Sequence, residues 1–383
     1  MTGHALADRI REFYTRYVVL GNAHAEVAVT LWALHTWVLE CFEVTPRLAF
    51  ISVERSSGKT RALEILEVIS YEGNLMVNFS TSWLFRTIDS KNGERVPTML
   101  FDEADNYFYG KLDHTQREIL SFLNVGYKRG GKVGRTDKSD KGQMTPETYG
   151  SFCPLAIGSI HNLPDTLQSR SVVIPMKRRR KSDRIAPYRE RLTRDEALAI
   201  REACAEWAEA TKPKLLLNPY PELPEGIDDR PAELWETLIG VADALGGEWP
   251  SLARDAAVHF VTEAENKPLS FGERLLTDIY KVFGDREAIT THTLLSELHD
   301  LEGSSWAEFG QARQPINARN LARILRDYEV PTNNTIRING GEPTKGYRRD
   351  YFTDAWERYA PHLLAADETP SNESTTPIDP HSI

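Results

Sequence analysis

The stretch Ser52–Thr60 reads SVERSSGKT and stands between a short apolar run, Arg47–Val53, and a helical pattern over Arg61–Ser70. A glycine-containing turn that opens a helix leaves backbone N–H groups free to cradle phosphate oxygens. In that setting Lys59 reaches the β- and γ-phosphates of a nucleotide and the Thr60 hydroxyl coordinates Mg²⁺. Glu54, Arg55, Ser56, Ser57, Gly58 and Arg61 complete the expected ATP-binding loop. The GxxxxGK[ST] pattern is incomplete, because Val53 occupies the first glycine position. The loop must therefore enter through a conformation that a β-branched residue tolerates. A second signal is Thr98–Asp105, TMLFDEAD, a mostly apolar run ending in paired carboxylates. Asp102 is suited to hold Mg²⁺, directly or through water, and Glu103 to polarise an attacking water.

Further along, CPLAIGSI is followed by HNLPDTLQSRSVVIPM. The arrangement is similar to that of P-loop ATPases of the AAA+ and superfamily 3 helicase kind, whose corresponding strand ends in a polar sensor. Ser159 is the first candidate and Asn162 the second, and ordinary strand-end hydrogen bonding accounts for either equally well. Arg170 ends the short helix expected over Asp165–Ser169. It is placed either to reach a neighbouring subunit's γ-phosphate or to cap the carbonyls of its own helix. Lys128, Arg129, Lys132 and Arg135 lie in a Gly-rich loop with Tyr127, between the acidic pair and the sensor strand. They can grip a single nucleic-acid strand or decorate an exposed loop. The run Lys177–Lys181, KRRRK, suits a nucleic-acid channel, a subunit interface or a solvated surface.

Near the C-terminus, Asn317–Glu329 places Leu321, Ile324, Leu325 and Tyr328 on one helical face and Arg319, Arg323 and Arg326 on the other. A helix buried by its leucines and presenting three arginines suits phosphate contacts in a groove, although such a face is often only solvated. Thr335–Ile338 and Gly346–Tyr351 would form a wing carrying Arg337, Lys345, Arg348 and Arg349.

The elements that must position these residues follow from periodicity. Helices are expected over Leu6–Tyr14, Ala25–Phe42, Ser82–Ile88, Thr115–Tyr127 and Leu192–Thr211, with buried strands over Asn74–Phe79, Val96–Phe101, Cys153–Ile160 and Ser171–Met176. Strands alternating with helices predict an α/β P-loop NTPase core with a mostly parallel sheet, AAA+-like, then a helical linker region and a C-terminal winged-helix-like domain. The expected divisions are an N-terminal helical segment (1–46), the ATPase core (47–185), a helical lid or linker (186–267), the winged-helix-like domain (268–362) and a disordered tail (363–383). The Pro-rich Pro213–Pro231 reads as a linker or boundary.

Of 383 residues, 40% are hydrophobic and 27% charged, which argues against whole-chain disorder. No apolar run approaches the roughly 18 residues of a membrane span, and no basic segment leads into an apolar one at the N-terminus. A soluble, cytoplasmic protein is expected. Cys41, Cys153 and Cys204 are too scattered for a disulfide framework or a zinc site. His35 reads as a hydrogen-bonded core residue. A net charge of −10 excludes a passive histone-like coat but leaves local basic patches open.

The chain resembles phage and mobile-element proteins carrying the domain of unknown function 3631. The likeness runs through ALHTWVLECFEVTPRLAFISVERSSGKTRALEILEVI, FLNVGYKRGGKVGR, LPDTLQSRSVVIPMKRRR, LLTDIYKVFGDREAITTHTLLSEL and KGYRRDYFTDAWERY, most of residues 15–361. By resemblance, Gly58, Lys59, Thr60, Asp102 and Glu103 take ATP and Mg²⁺ roles in a replication-linked ATPase, and a homo-oligomer, a hexameric ring among the options, with a primase or replisome partner is implied. Arg55-Ser56 departs from the pattern, which places a glycine at the second of these positions. The expected function is a DNA helicase or translocase moving on single-stranded DNA. The alternative is an ATP-switched DNA-binding or helicase-loader protein without translocation. A small-molecule P-loop kinase is disfavoured by the C-terminal unit.

Overall fold

The structure is a computed structural model describing residues 1–89, 96–108, 112–138, 144–266, 269–301, 303, 305–309, 313–338, 340–360 and 363–364. The tail expected to be disordered lies outside the described residues, apart from Leu363 and Leu364. The chain forms two compact units, Met1–Asn266 and Lys267–Ile383.

The first unit is built on a parallel five-stranded sheet in the order β2-β3-β6-β1-β7. Its strands are β1 (Arg47–Ile51), β2 (Asn74–Met76), β3 (Met99–Phe101), β6 (Leu155–Ser159) and β7 (Ser171–Pro175). Two further strands, β4 (Lys132–Lys138) and β5 (Met144–Gly150), form a separate antiparallel hairpin. The helices are α1 (Gly3–Tyr17), α2 (Ala23–His35), α3 (Lys59–Ile69), α4 (Thr81–Asp89), α5 (Asp105–Phe108), α6 (His114–Val125), α7 (Asp165–Gln168), α8 (Glu190–Leu217), α9 (Asp229–Leu245) and α10 (Trp249–Glu265).

Both faces of the sheet are covered, which is why its strands read as continuous apolar runs rather than alternating ones. Leu48 and Phe50 of β1 join a core with α1, α2, α3 and α8–α10. Ala49, between them, points the other way into a core with α4, α6 and α7. Segments 1–46, 47–185 and 186–266 thus contribute to one compact unit.

Two expectations change. The helix expected to run to Phe42 stops at His35, and a 3₁₀ turn covers Leu39–Cys41. Thr36 donates its hydroxyl to Ala33 O and accepts the Tyr71 N–H, while the Trp37 indole donates to Ile69 O. These bonds draw the chain off the helical path. Conversely, α8 continues through Pro213 to Leu217, so the Pro-rich boundary starts later than expected. A proline removes a single intrahelical bond, and the buried Thr211 and Leu215 hold the last turns in place.

The second unit contains α11 (Phe271–Phe283), β8 (Ala288–Thr290), α12 (Thr291–Asp300), α13 (Ala318–Asp327), β9 (Thr335–Ile336), β10 (Thr344–Arg348) and α14 (Thr353–Tyr359). Its three strands are ordered β8-β10-β9, both pairs antiparallel. Leu321 and Leu325 of α13 are fully buried in its core, with Ile324 and Tyr328 partly so.

His35 confirms that a buried histidine need not be a ligand. It lies between Trp32 O and Thr45 Oγ1, 2.9 Å from the latter. Burial lowers its pKa to about 4, the Trp32 carbonyl opposes this, and nearby Arg47 adds to it. The unfolded chain therefore binds a proton that the folded chain refuses between about pH 6.5 and 4. This contribution to stability is complete above about pH 6.5 and is lost as pH falls through 4, amounting to about 3 kcal/mol. Urea unfolding of wild type and His35→Gln across that window checks it: the variant should lose less stability on acidification.

Candidate nucleotide-binding site

The loop between β1 and α3 sits at the C-terminal edge of the sheet. Ser52 and Ser57 are buried at its base, and Val53, Glu54, Arg55 and Ser56 form an exposed crown. Gly58 caps α3 with φ +93°, a left-handed conformation that favours glycine. Lys59 turns back into the loop. Its Nζ donates to Ser52 Oγ at 2.5 Å and to Ser57 Oγ at 3.2 Å, with Glu54 O at 3.5 Å. Burial lowers the Lys59 pKa, while the charges of Asp105 and Asp102 work against that shift. The ammonium is thus held at the mouth of a ring of hydroxyl and carbonyl oxygens, beside the first turn of a helix.

Val53 is 90% exposed and keeps a negative φ, so the missing first glycine is accommodated without strain. Ser56 is different. It stands where the resemblance noted above implies a glycine, and it adopts φ +59°. A left-handed L-residue costs about 1–2 kcal/mol, offset in part by the lower unfolded-chain entropy of serine relative to glycine. Ser56→Gly should therefore stabilise the protein by about 0.5–1 kcal/mol, read as a higher urea midpoint with an unchanged slope.

At the end of β3, the Thr60 hydroxyl donates to Asp102 Oδ2 at 2.6 Å. Asp102 is buried, and its other oxygen accepts the Glu103 N–H at 2.9 Å. Gly158 of β6 makes room for this carboxylate: a Cβ there would lie 2.9 Å from Asp102 Oδ1. Glu103 is exposed and also left-handed, at φ +55°. Two non-glycine residues in that conformation within one site mark backbone strain that the surrounding fold enforces.

Asp105, which sequence reasoning gave no role, ties β3 to β6. It accepts the Ser159 hydroxyl at 2.8 Å and the N–H groups of Ile160 and His161, the latter at 2.9 Å. Burial works against its charge, but these donors outweigh it and hold its carboxyl below the ordinary value. Ser159 is therefore at the site and fixed by Asp105, with its hydroxyl also 2.7 Å from His161 O. Asn162 is exposed in the following loop. The motif's own letters, D-E-x-D, were the available signal for Asp105.

Other expected residues sit elsewhere. Arg61 turns away from the loop, pairs with Glu64 at 3.0 Å and covers the Tyr188 ring at 4.9 Å. One residue past Thr60 on a helix rotates by about 100°, which carries it off the nucleotide side. Arg170 precedes β7, at the edge of the sheet opposite its own loop. It donates to Thr166 O and lies 5.0 Å from the Tyr127 ring, so it caps its own helix in this chain. Arg129 donates to Phe42 O at 3.0 Å and Leu39 O at 2.9 Å, and stacks on Phe152. Lys128 pairs with Glu233 at 3.2 Å. Arg135 donates to Thr81 Oγ1 at 3.1 Å and covers Phe85. Lys128 and Arg129, just before β4, and Arg135 within it thus each make contacts to other parts of the unit. Lys132 is exposed. The residues joining β4 to β5, 139–143, lie outside the described residues.

In the second unit Arg319, Arg323 and Arg326 are all exposed on α13, opposite its buried leucines. Lys345 donates to Asn333 at 3.0 Å and Arg348 pairs with Asp350 at 3.2 Å. Arg349 lies over Tyr280 and Trp356, and Arg337 is exposed.

An uncharacterized 28.9 kDa protein in the xis 5′ region of Saccharopolyspora erythraea is 38% identical over 187 residues, 49% of this chain and 69% of that protein. The chain belongs to the same family. Residues 175–359 match the family described as a protein of unknown function, DUF3631. Among solved structures, the apo C-terminal region of NrS-1 is 12% identical, covering 89% of this chain and 75% of that one, with a TM-score of 0.42. The JCV helicase is 12% identical over 74% of this chain and 73% of its own, with a TM-score of 0.21. Cdc6p from Pyrobaculum aerophilum is 13% identical over 91% and 95%, with a TM-score of 0.22. Among the described residues, no helix is long and apolar enough to cross a membrane, and no group of three or more His, Cys, Asp or Glu is arranged to hold a metal ion.

Proposed function

We propose that this protein is an ATPase that acts on DNA in a replication-linked role, binding ATP and Mg²⁺ at the β1–α3 loop. The observation that carries the reading is the Thr60–Asp102 contact at 2.6 Å beside Lys59. It places a hydroxyl and a carboxylate oxygen together at the mouth of a phosphate-type loop. Such hard oxygen donors fit Mg²⁺, which completes its shell with nucleotide oxygens and water rather than an all-protein cage. Thr60 and Asp102 would hold the ion, which would supply charge neutralisation at the phosphates. Lys59 leaves Ser52 and Ser57 for the phosphate oxygens. Glu103 orients and deprotonates the attacking water, and Ser159, held by Asp105, senses the terminal phosphate.

The second unit, whose order of helix, strand, two helices, two strands and a closing helix supports a winged-helix-like reading, supplies Arg319, Arg323 and Arg326 for phosphates of the DNA backbone. In a homo-oligomer Arg170 reaches a neighbour's site, since it lies across the sheet from its own. A motor that translocates on single strands is the first reading. The engagement of Lys128, Arg129 and Arg135 within the fold favours the second, an ATP-controlled DNA-binding or loading protein. ATP hydrolysis measured with and without single-stranded DNA separates them. Stimulation of several-fold supports the motor. Slow turnover that DNA leaves unchanged, together with ATP-dependent DNA binding, supports the switch.

A further inference from the structure

We infer that Arg178 makes this loop acceptable to a polyphosphate, by neutralising a carboxylate that the loop itself carries; the inference rests on the nucleotide reading above. Glu54 lies in the exposed crown, two positions before the left-handed Ser56. A negative side chain in an anion-binding loop repels the ligand, and the repulsion grows as the nucleotide displaces water. The fold supplies a compensating charge from outside the loop. β7 runs beside β1 in the register Ile51↔Pro175, and the Met176 N–H donates to Ile51 O at 2.7 Å. The chain leaving β7 is therefore fixed against the loop, and it brings Arg178 over the crown. Arg178 Nη2 donates to Glu54 Oε2 at 3.3 Å, and its Nε donates to Arg55 O at 3.1 Å.

One guanidinium thus meets both the unwanted charge and the backbone of the same loop. A lysine, with a single ammonium, cannot span the two in that planar geometry. Arg178 and Glu54 side chains are 62% and 64% exposed, so without nucleotide the pair adds little to stability. Its effect belongs to binding. Arg178 is a positioning residue, so one member of the basic run Lys177–Lys181 takes a role at the nucleotide.

The test is a double-mutant cycle on the full chain, reading the Kd for Mg-ATP by titration calorimetry and the KM and kcat of hydrolysis. Arg178→Ala should weaken binding about tenfold, as loss of a charge beside a polyanion does, with kcat little changed. Arg178→Lys should fall between. Glu54→Gln alone removes the repelling carboxylate while Arg178 remains and should tighten Mg-ATP binding roughly two- to fivefold, and Glu54→Gln combined with Arg178→Ala should recover most of the loss. A purely structural role would not be rescued by removing the carboxylate. Wild-type binding with an unaffected Arg178→Ala, or a double variant as weak as the single, overturns this inference alone. A wild type that binds no Mg-ATP overturns the nucleotide reading, and this inference with it.

Discussion

Glu103→Gln lowers ATP turnover by about 10²–10⁴-fold and leaves Mg-ATP binding within a few-fold of wild type, the size expected for loss of a general base. The substitution keeps side-chain length and the left-handed backbone at φ +55°. It keeps the N–H bond to Asp102 Oδ1, so the metal-facing carboxylate is not disturbed. What it removes is the carboxylate able to take a proton from water. Glu103 stands exposed at the end of β3, next to Asp102, which accepts from Thr60, and near Asp105, which accepts from Ser159 and the Ile160 and His161 amides. Single-turnover hydrolysis and equilibrium binding on the same preparations separate the two effects. Turnover that survives in the variant would show that another group activates the water.

Arg47→Ala destabilises the first unit by about 3–5 kcal/mol, the range for truncating a large buried side chain and orphaning its partners. Arg47 is fully buried at the start of β1. Its guanidinium donates to Cys153 O and, at 2.8 Å, to Leu123 O in the last turn of α6. Its backbone N–H donates to Arg170 O at 2.9 Å. The cation thus satisfies the Leu123 carbonyl in the last turn of α6 and the Cys153 carbonyl before β6, and it lies where the helix dipole favours positive charge. Burial lowers its pKa to about 10, with Cys153 opposing that shift and Arg170 adding to it, so it stays charged at neutral pH. Arg47→Met, which keeps volume but not donors, should lie between wild type and Arg47→Ala in urea midpoint. A methionine variant as stable as wild type would mean the carbonyl bonds add nothing.

The candidate nucleotide site was legible in the sequence wherever its residues are contiguous. SVERSSGKT and TMLFDEAD carry their chemistry in local order, and the sheet brings their ends together. The departure at Ser56 was legible too, and its left-handed backbone is the structural reason that a glycine belongs there. What the letters did not show are partners distant in sequence. Asp105 acquires its role only when β6 lies beside β3 and offers two amides and a hydroxyl. Arg178 was one of five basic residues in a row, and only the β1–β7 register singles it out. Arg129 and Arg135 read as free cations because nothing local reveals that Leu39, Phe42 and Thr81 will receive them. Helix ends followed the same rule: α2 stops short of Phe42, where Thr36 and Trp37 find Tyr71 and Ile69 far along the chain.

The central claim is that the β1–α3 loop binds a nucleoside triphosphate with Mg²⁺. Calorimetric titration of Mg-ATP into the full chain, repeated with Lys59→Ala and with EDTA, tests it most directly. Saturable binding to wild type, abolished by the substitution and strongly weakened by chelation, is expected. Absence of binding to wild type, or equal binding by Lys59→Ala, would contradict it.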